Sequence, residues 1–118
     1  MPITFAFYRQ LNAMDCGPAC LRMVAKHYGK HYNTDGIRQV AGISKAGVSM
    51  LGISEAAERM GFRTRGTRLT YDEITKDAPL PCILHWDQSH FVVLIKAGKN
   101  MAKIADPAKG ILDRKSVV

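Results

Sequence analysis

Asp15-Cys16-Gly17-Pro18-Ala19-Cys20 is the stretch on which the reading of this chain turns. A cysteine stands just ahead of a Gly-Pro pair, and a strongly apolar helical pattern follows. Proline fits the first turn of a helix, where its missing N–H costs nothing. The stretch therefore predicts a helix N-terminus at Cys16. The amides and the macrodipole at that end of a helix favour a thiolate over a thiol. A thiolate near neutral pH is a strong nucleophile, so this is how a fold makes a reactive cysteine.

Outward from this point, residues 17–28 read as a helix. Arg22, Lys26 and Lys30 recur every four residues as one narrow polar stripe, and Ala19, Cys20, Leu21, Met23, Val24, Ala25 and Tyr28 cover the rest. A helix apolar nearly all round is a central one, buried by its neighbours. Gly29 is placed to end it. A second short helix is expected over 35–41 with Thr34 as N-cap. A third is expected over 50–60, with Leu51, Ala56, Ala57 and Met60 inward and Gly61 as the stop. Thr70-Tyr71-Asp72-Glu73 has the capping-box form and predicts a brief helical turn. Residues 44–49 read as a surface loop.

The second half changes period. Residues 62–69 are expected as an edge strand with arginines outward. Residues 82–86, 90–96 and 101–105 read as three successive strands, with 87–89 and 97–100 as turns. Helices first and an antiparallel sheet second give an α+β fold, a helical half with a central buried helix followed by the sheet. The 118 residues make a single domain, 1–118.

Composition narrows the function classes. Three cysteines (Cys16, Cys20 and Cys82) form an odd set without a regular framework, which argues against a disulfide scaffold and for a reducing compartment. The longest strictly apolar run, Phe91 to Ile95, is far short of a membrane span, and the start lacks a signal-peptide pattern. A domain in, or facing, the cytosol is expected. The net charge is +7. Its basic residues (Arg63, Arg65, Arg68, Lys96, Lys99, Lys103 and Lys109 among them) are scattered, and no stacking-aromatic motif accompanies them. A solvated surface is the expectation, with no nucleic-acid partner.

A thiolate nucleophile needs a base, and the base needs an orienting group. His90 begins a strongly apolar strand, where a histidine is otherwise out of place. Asp106 ends the next strand, just before Pro107, so the two are expected side by side across a hairpin. Cys16 on a helix tip, His90 on a strand and Asp106 on the adjacent strand form the papain-like arrangement, in that chain order. Attack on a carbonyl also needs a donor for the oxyanion. Gln10, six residues before Cys16, is a neutral side-chain donor at the right end of the chain, with the Cys16 backbone N–H as the second.

The segment from Gln10 to Leu21, with its Asp15-Cys16-Gly17, resembles the cysteine box of the bacteriocin-processing peptidase domains. These papain-like cysteine peptidase domains stand at the N-terminus of peptidase-containing ABC transporters. The likeness continues through 47–53, Ala56-Ala57, Gly61-Phe62, 81–86, 90–93 and 106–110, nearly the whole chain in order. The resemblance implies cleavage of a precursor peptide's leader after a double-glycine pair, coupled to export. It implies Cys16 as nucleophile, His90 as general base and acid, Asp106 as orienter and Gln10 as oxyanion donor. It implies no cofactor for the peptidase domain, with ATP confined to a separate nucleotide-binding domain. The implied partners are the precursor peptide and the membrane and nucleotide-binding domains of the chain's own transporter, a homodimer at full length. The implied location is the cytoplasmic side of the bacterial plasma membrane. After Gly110 the family usually continues further, whereas Ile111 to Val118 reads as a short basic tail, so the chain is expected to be an excised domain.

Other readings compete for the same residues. Cys16, Cys20, His85 and His90 form C-x₃-C and H-x₄-H pairs, near permitted zinc spacings. That reading leaves Gln10 and Asp106 idle and puts Cys20 on a buried helix face, so no metal is expected. A docking module that binds leaders without cutting them has no need of the nucleophile or base. Cys20 and Cys82 are expected to be small buried hydrophobes. His27 and His31 are expected at the surface, and His85 either in the cleft or in the core. Asp15 is expected to cap the helix or lie near the cleft, without a catalytic role. Ser49, Met50 and Leu51 are accounted for by a helix start, with part of a leader-binding face as the alternative.

Overall fold

Four helices precede a four-stranded sheet in the computed structural model, which describes residues 5–11, 15–41, 49–66, 70–86 and 90–115. The helices are α1 (Cys16–His27), α2 (Thr34–Ala41), α3 (Met50–Arg59) and α4 (Tyr71–Asp77). The strands are β1 (Cys82–Trp86), β2 (His90–Ala97), β3 (Met101–Asp106) and β4 (Gly110–Lys115). The sheet is an antiparallel meander in the order β1-β2-β3-β4.

α1 is the central helix that its pattern predicts. Cys20, Met23 and Ala25 are fully buried, and the helix packs on α2, α3, β1 and β2. Its polar stripe is not wholly solvated. Arg22 is half-buried, with its guanidinium 3.7 Å from the centre of the Tyr8 ring and its Nε donating to the Tyr32 carbonyl at 2.6 Å. The helix stops as expected at Gly29, whose φ of +84° suits glycine. There Gly29 N–H donates to Lys26 C=O and Lys30 N–H to Ala25 C=O, a Schellman motif.

α3 ends in the same way at Gly61, φ +97°, with Gly61 N–H on Glu58 C=O and Phe62 N–H on Ala57 C=O. Lys30 Nζ donates to Met60 C=O at 2.6 Å and so ties the two helix ends together. Ser49 caps α3 by accepting from Gly52 N–H at 3.1 Å. The inward face of α3 is Ile53, Ala56, Ala57 and Met60, whereas Leu51 is exposed, which corrects its expected inward placement. Leu51 lies two residues from Ile53, about 200° around the helix, and so on the opposite side.

The cap of α2 also differs from expectation. Thr34 is the first residue of the helix, and Asn33 supplies the cap, its Oδ1 accepting from Gly36 N–H at 2.7 Å. The predicted capping box opens α4, with Thr70 and Glu73 bonded reciprocally.

The sheet's two faces follow strand alternation. Ile83, Phe91, Val93 and Ala105 join the core around α1, while Val92, Leu94, Ala102 and Ile104 form a second cluster under Ile74 of α4 and Leu80. An irregularity between Leu94 and Lys96 shifts the β2–β3 register. Of the predicted strand over 62–69, residues 62–66 have no regular structure, and 67–69 lie outside the described residues. Arg63 and Arg65 are exposed, and among the described residues no strand pairs with 62–66 to hold an extended conformation. The expected basic tail is instead β4 as far as Lys115, paired along the whole of β3. The predicted loop at 44–48 and turn at 87–89 lie outside the described residues.

Candidate active site

α1 begins on Cys16 itself, so the thiol stands on the first helical residue, with Gly17 and Pro18 buried behind it. His90 is the first residue of β2 and Asp106 the last of β3. The Val93↔Ala105 register brings these two strand ends together at the same end of the sheet. His90 Nε2 lies 2.7 Å from Asp106 Oδ1. Their side chains are 27% and 7% exposed, so the pair is largely withdrawn from water.

Asp106 Oδ1 also accepts from the Ala108 backbone N–H at 2.9 Å. Burial alone raises the pKa of this carboxyl. The His90 and Ala108 hydrogen bonds, with the nearby His90 and Lys109 charges, outweigh burial and hold it below the ordinary value. It is therefore an ionised acceptor at neutral pH. With Nε2 engaged by a carboxylate, Nδ1 is the imidazole nitrogen left to accept a proton.

The N-terminal segment closes over this end of the sheet. Gln10 N–H donates to the Pro107 carbonyl at 3.0 Å, and Arg9 Nη1 donates to the Ala108 carbonyl at 2.9 Å. Phe5, Phe7 and Tyr8 pack against the main core. Gln10 is thereby fastened to the turn that follows Asp106. A pocket lined by Tyr8, Gln10, Leu11, Asp15, Pro18 and Ile37 opens beside the α1 N-terminus. No motif in the sequence announces the Arg9 and Gln10 contacts, because both use main-chain acceptors about a hundred residues away.

Cys20, one turn along α1, is fully buried. Burial first, then its proximity to Cys16 and Asp106, pushes this thiol well up, so it stays protonated. Cys82 is half-buried, and burial raises it to about 11. Both therefore remain thiols at neutral pH; Cys20 packs in the core as expected, while Cys82 is only partly buried. His85 is exposed and stacks on Phe91 with ring centres 4.6 Å apart, which separates it from a core role. Among the described residues no three His, Cys, Asp or Glu side chains gather to hold a metal ion. His27 and His31 are exposed at the end of α1.

Of the two placements expected for Asp15, the helix cap is not made, while the residue does line the pocket beside Gln10. It occupies the N-cap position of α1 but makes no side-chain cap bond. Its carboxylate is buried and faces Arg38 of α2 instead, with Nη2–Oδ2 at 2.5 Å and Nε–Oδ1 at 3.2 Å. Nothing in the sequence around Arg38 marks this contact, because it exists only once α2 lies against α1.

The sequence profile of the Peptidase C39 family matches residues 4–116. The chain belongs to the Peptidase C39 family. It is 41% identical over 102 residues to the colicin V secretion/processing ATP-binding protein CvaB of Escherichia coli. It is 37% identical over 108 residues to the lactococcin-G-processing and transport ATP-binding protein LagD of Lactococcus lactis subsp. lactis. Each match covers 86% of this chain, and the chain spans only 14% and 15% of those proteins' lengths.

Among solved structures, it resembles a double glycine motif protease from an AMS/PCAT transporter, crystallised with its leader peptide. That match has a TM-score of 0.88 and 34% identity, covering 95% of this chain and 80% of the other. The peptidase domain of Streptococcus ComA, a bi-functional ABC transporter, matches with a TM-score of 0.79 and 28% identity, covering 95% and 87%. The fold of this C39 member is thus the papain-like peptidase fold, helices followed by a four-stranded antiparallel sheet.

Proposed function

We propose that this C39 peptidase domain removes the leader of a precursor peptide, of the bacteriocin or peptide-pheromone type, by cutting after a double-glycine motif. The observation that carries the reading is the His90 Nε2–Asp106 Oδ1 pair at 2.7 Å, at the end of the sheet against which the Cys16 helix packs. A carboxylate-anchored imidazole on a strand packed against a cysteine-led helix suits acyl transfer.

In this reading His90 Nδ1 takes the Cys16 thiol proton, and the sulfur attacks the carbonyl carbon of the glycine before the scissile bond. The Gln10 side-chain amide and the Cys16 backbone N–H stabilise the oxyanion. His90 returns the proton to the departing amine as the C–N bond breaks, leaving a thioester. Water, deprotonated by His90, attacks that thioester and releases the leader's carboxylate and the free thiol. Asp106 keeps the imidazole in the required tautomer throughout.

The relatives named above are secretion or transport ATP-binding proteins several times longer than this chain. This supports the domain being part of a longer transporter; we place it at the N-terminus of a homodimeric ABC transporter, on the cytoplasmic side of the bacterial plasma membrane. ATP then belongs to a separate nucleotide-binding domain. The test is incubation with a synthetic double-glycine leader peptide, followed by mass spectrometry. A single cut after the second glycine, lost in Cys16→Ala while leader binding persists, is the expected result. Cleavage by Cys16→Ala at the native rate overturns the mechanism.

A further inference from the structure

Aspartate is among the best helix N-caps because its carboxylate accepts from the amides of the first turn. Asp15 holds that position on α1, yet its backbone (φ −93°, ψ 4°) is not the extended one usual for a cap, and it makes no cap bond. Both carboxylate oxygens are instead taken by Arg38, in the two-pronged geometry for which a guanidinium is suited. The carboxylate is buried, only 4% exposed, and directly precedes Cys16 in the chain. Pro18 has no N–H, so the first turn offers few amides, and a capping carboxylate there competes directly with any anion formed at Cys16. A second negative charge at the helix mouth also opposes ionisation of the thiol.

We infer that Arg38 is a positioning residue for the reaction, drawing the Asp15 carboxylate away from the first turn of α1 and leaving that turn's amides and field to the thiolate and the oxyanion. The inference rests on Cys16 being the nucleophile. The other ionisable groups near this end of α1 are Cys20 on the same helix, His90 on β2, Asp106 with Lys109 on and after β3, and Tyr8, Arg9 and Arg22, which line the same pocket as Asp15. Arg38 has a second acidic neighbour in Asp35 on its own helix. Arg9 is held by the Ala108 carbonyl and Arg22 by the Tyr32 carbonyl and the Tyr8 ring, so among the described residues Arg38 is the cation bonded to Asp15, and its removal frees that carboxylate for the helix amides.

The test compares the native domain with Arg38→Gln, Arg38→Lys and the double variant Asp15→Ala/Arg38→Gln. Three quantities are measured: kcat and KM for leader cleavage, the rate of Cys16 alkylation by iodoacetamide at pH 7 divided by that at pH 10, and folding by circular dichroism. Alkylation is assigned to Cys16 by peptide mapping. Arg38→Gln is expected to lower kcat and the alkylation ratio by about tenfold each, with KM changed less than twofold. Arg38→Lys, which keeps the charge and loses the fork, falls between. The double variant recovers both quantities, because the competing carboxylate is gone.

A native kcat and alkylation ratio in folded Arg38→Gln overturns the inference. So does a folded double variant as impaired as the single one, since a merely structural clasp gives no recovery. Should Arg38→Gln fail to fold, Arg38→Lys and the double variant decide. Failure of the peptidase reading is separately visible: the native domain then leaves the leader uncut, while the alkylation ratios still report on the clasp.

Discussion

Asp106 is the residue whose environment says most about the chemistry. Its carboxyl is buried, yet it is held ionised by His90 and by Ala108 N–H. Under the proposed mechanism its task is to accept from His90 Nε2, and an amide oxygen can still do that. Asp106→Ala should therefore lower kcat on the order of 10²-fold, and Asp106→Asn by clearly less. Steady-state kinetics on a double-glycine leader measures both, and equal losses would remove the orienting role. Gln10 invites a parallel test. A donor that acts on the oxyanion contributes in the transition state and little to the bound substrate. Gln10→Ala is expected to cost about 10²–10³ in kcat with KM nearly constant. An unchanged kcat with a raised KM would make Gln10 a binding residue. Cys16, His90, Asp106 and Gln10 were legible as candidates: a cysteine before Gly-Pro, a histidine opening an apolar strand, an aspartate closing the next, and a neutral amide six residues ahead of the cysteine. Arg38 was not, because nothing in its flanks distinguishes a clasp from a solvated helix arginine.

Helix ends carry much of the order around the site. α1 and α3 both terminate on left-handed glycines, and Lys30 links the two termini. Gly61→Ala should destabilise the fold by about 1–2 kcal/mol through the left-handed backbone alone. The added Cβ would also meet Lys30 Nζ at 2.8 Å, so that side chain must shift from the position in which it bonds Met60 C=O. Urea denaturation measures the loss, and a variant as stable as the native domain would show that this terminus is not strained. The capping box at Thr70 and the glycine stops were legible because their signals are local. The absent strand at 62–66 and the paired strand at 110–115 were not. Strand formation depends on a neighbour with open hydrogen-bonding groups, and β3 offers its edge to β4 while the 62–66 segment has no such partner among the described residues.

At the scale of the whole molecule, stability should narrow at both ends of the pH range, for opposite reasons. Asp106 has a folded-state pKa below its ordinary value, so its contribution is present above that value. It is lost as pH falls from the ordinary carboxylate range through the depressed one. Cys82 has a folded-state pKa raised from 9.0 to about 11. Its neutral thiol costs nothing below the ordinary value, and stability is lost as pH rises from there towards about 11. Thermal unfolding from pH 3 to 11 should therefore show an acid limb that is shallower in Asp106→Asn and an alkaline limb that is shallower in Cys82→Ala. An alkaline limb identical in Cys82→Ala would assign that loss to other groups.

The sequence by itself determined the α+β order, the central buried helix led by Cys16, three of the four strands and the residues of the candidate site. Each of these rests on short-range signals: apolar period, caps, glycine stops and the flanks of reactive side chains. The tertiary structure decided the fourth strand, the fastening of Arg9 and Gln10 to the 107–108 turn, and the turning of Asp15 from the helix amides to Arg38. The last two depend on partners between 23 and 99 residues away along the chain, and β4 forms on the edge that β3 offers it. Such pairings are set by which surfaces meet when the helices pack on the sheet, and no local pattern encodes them.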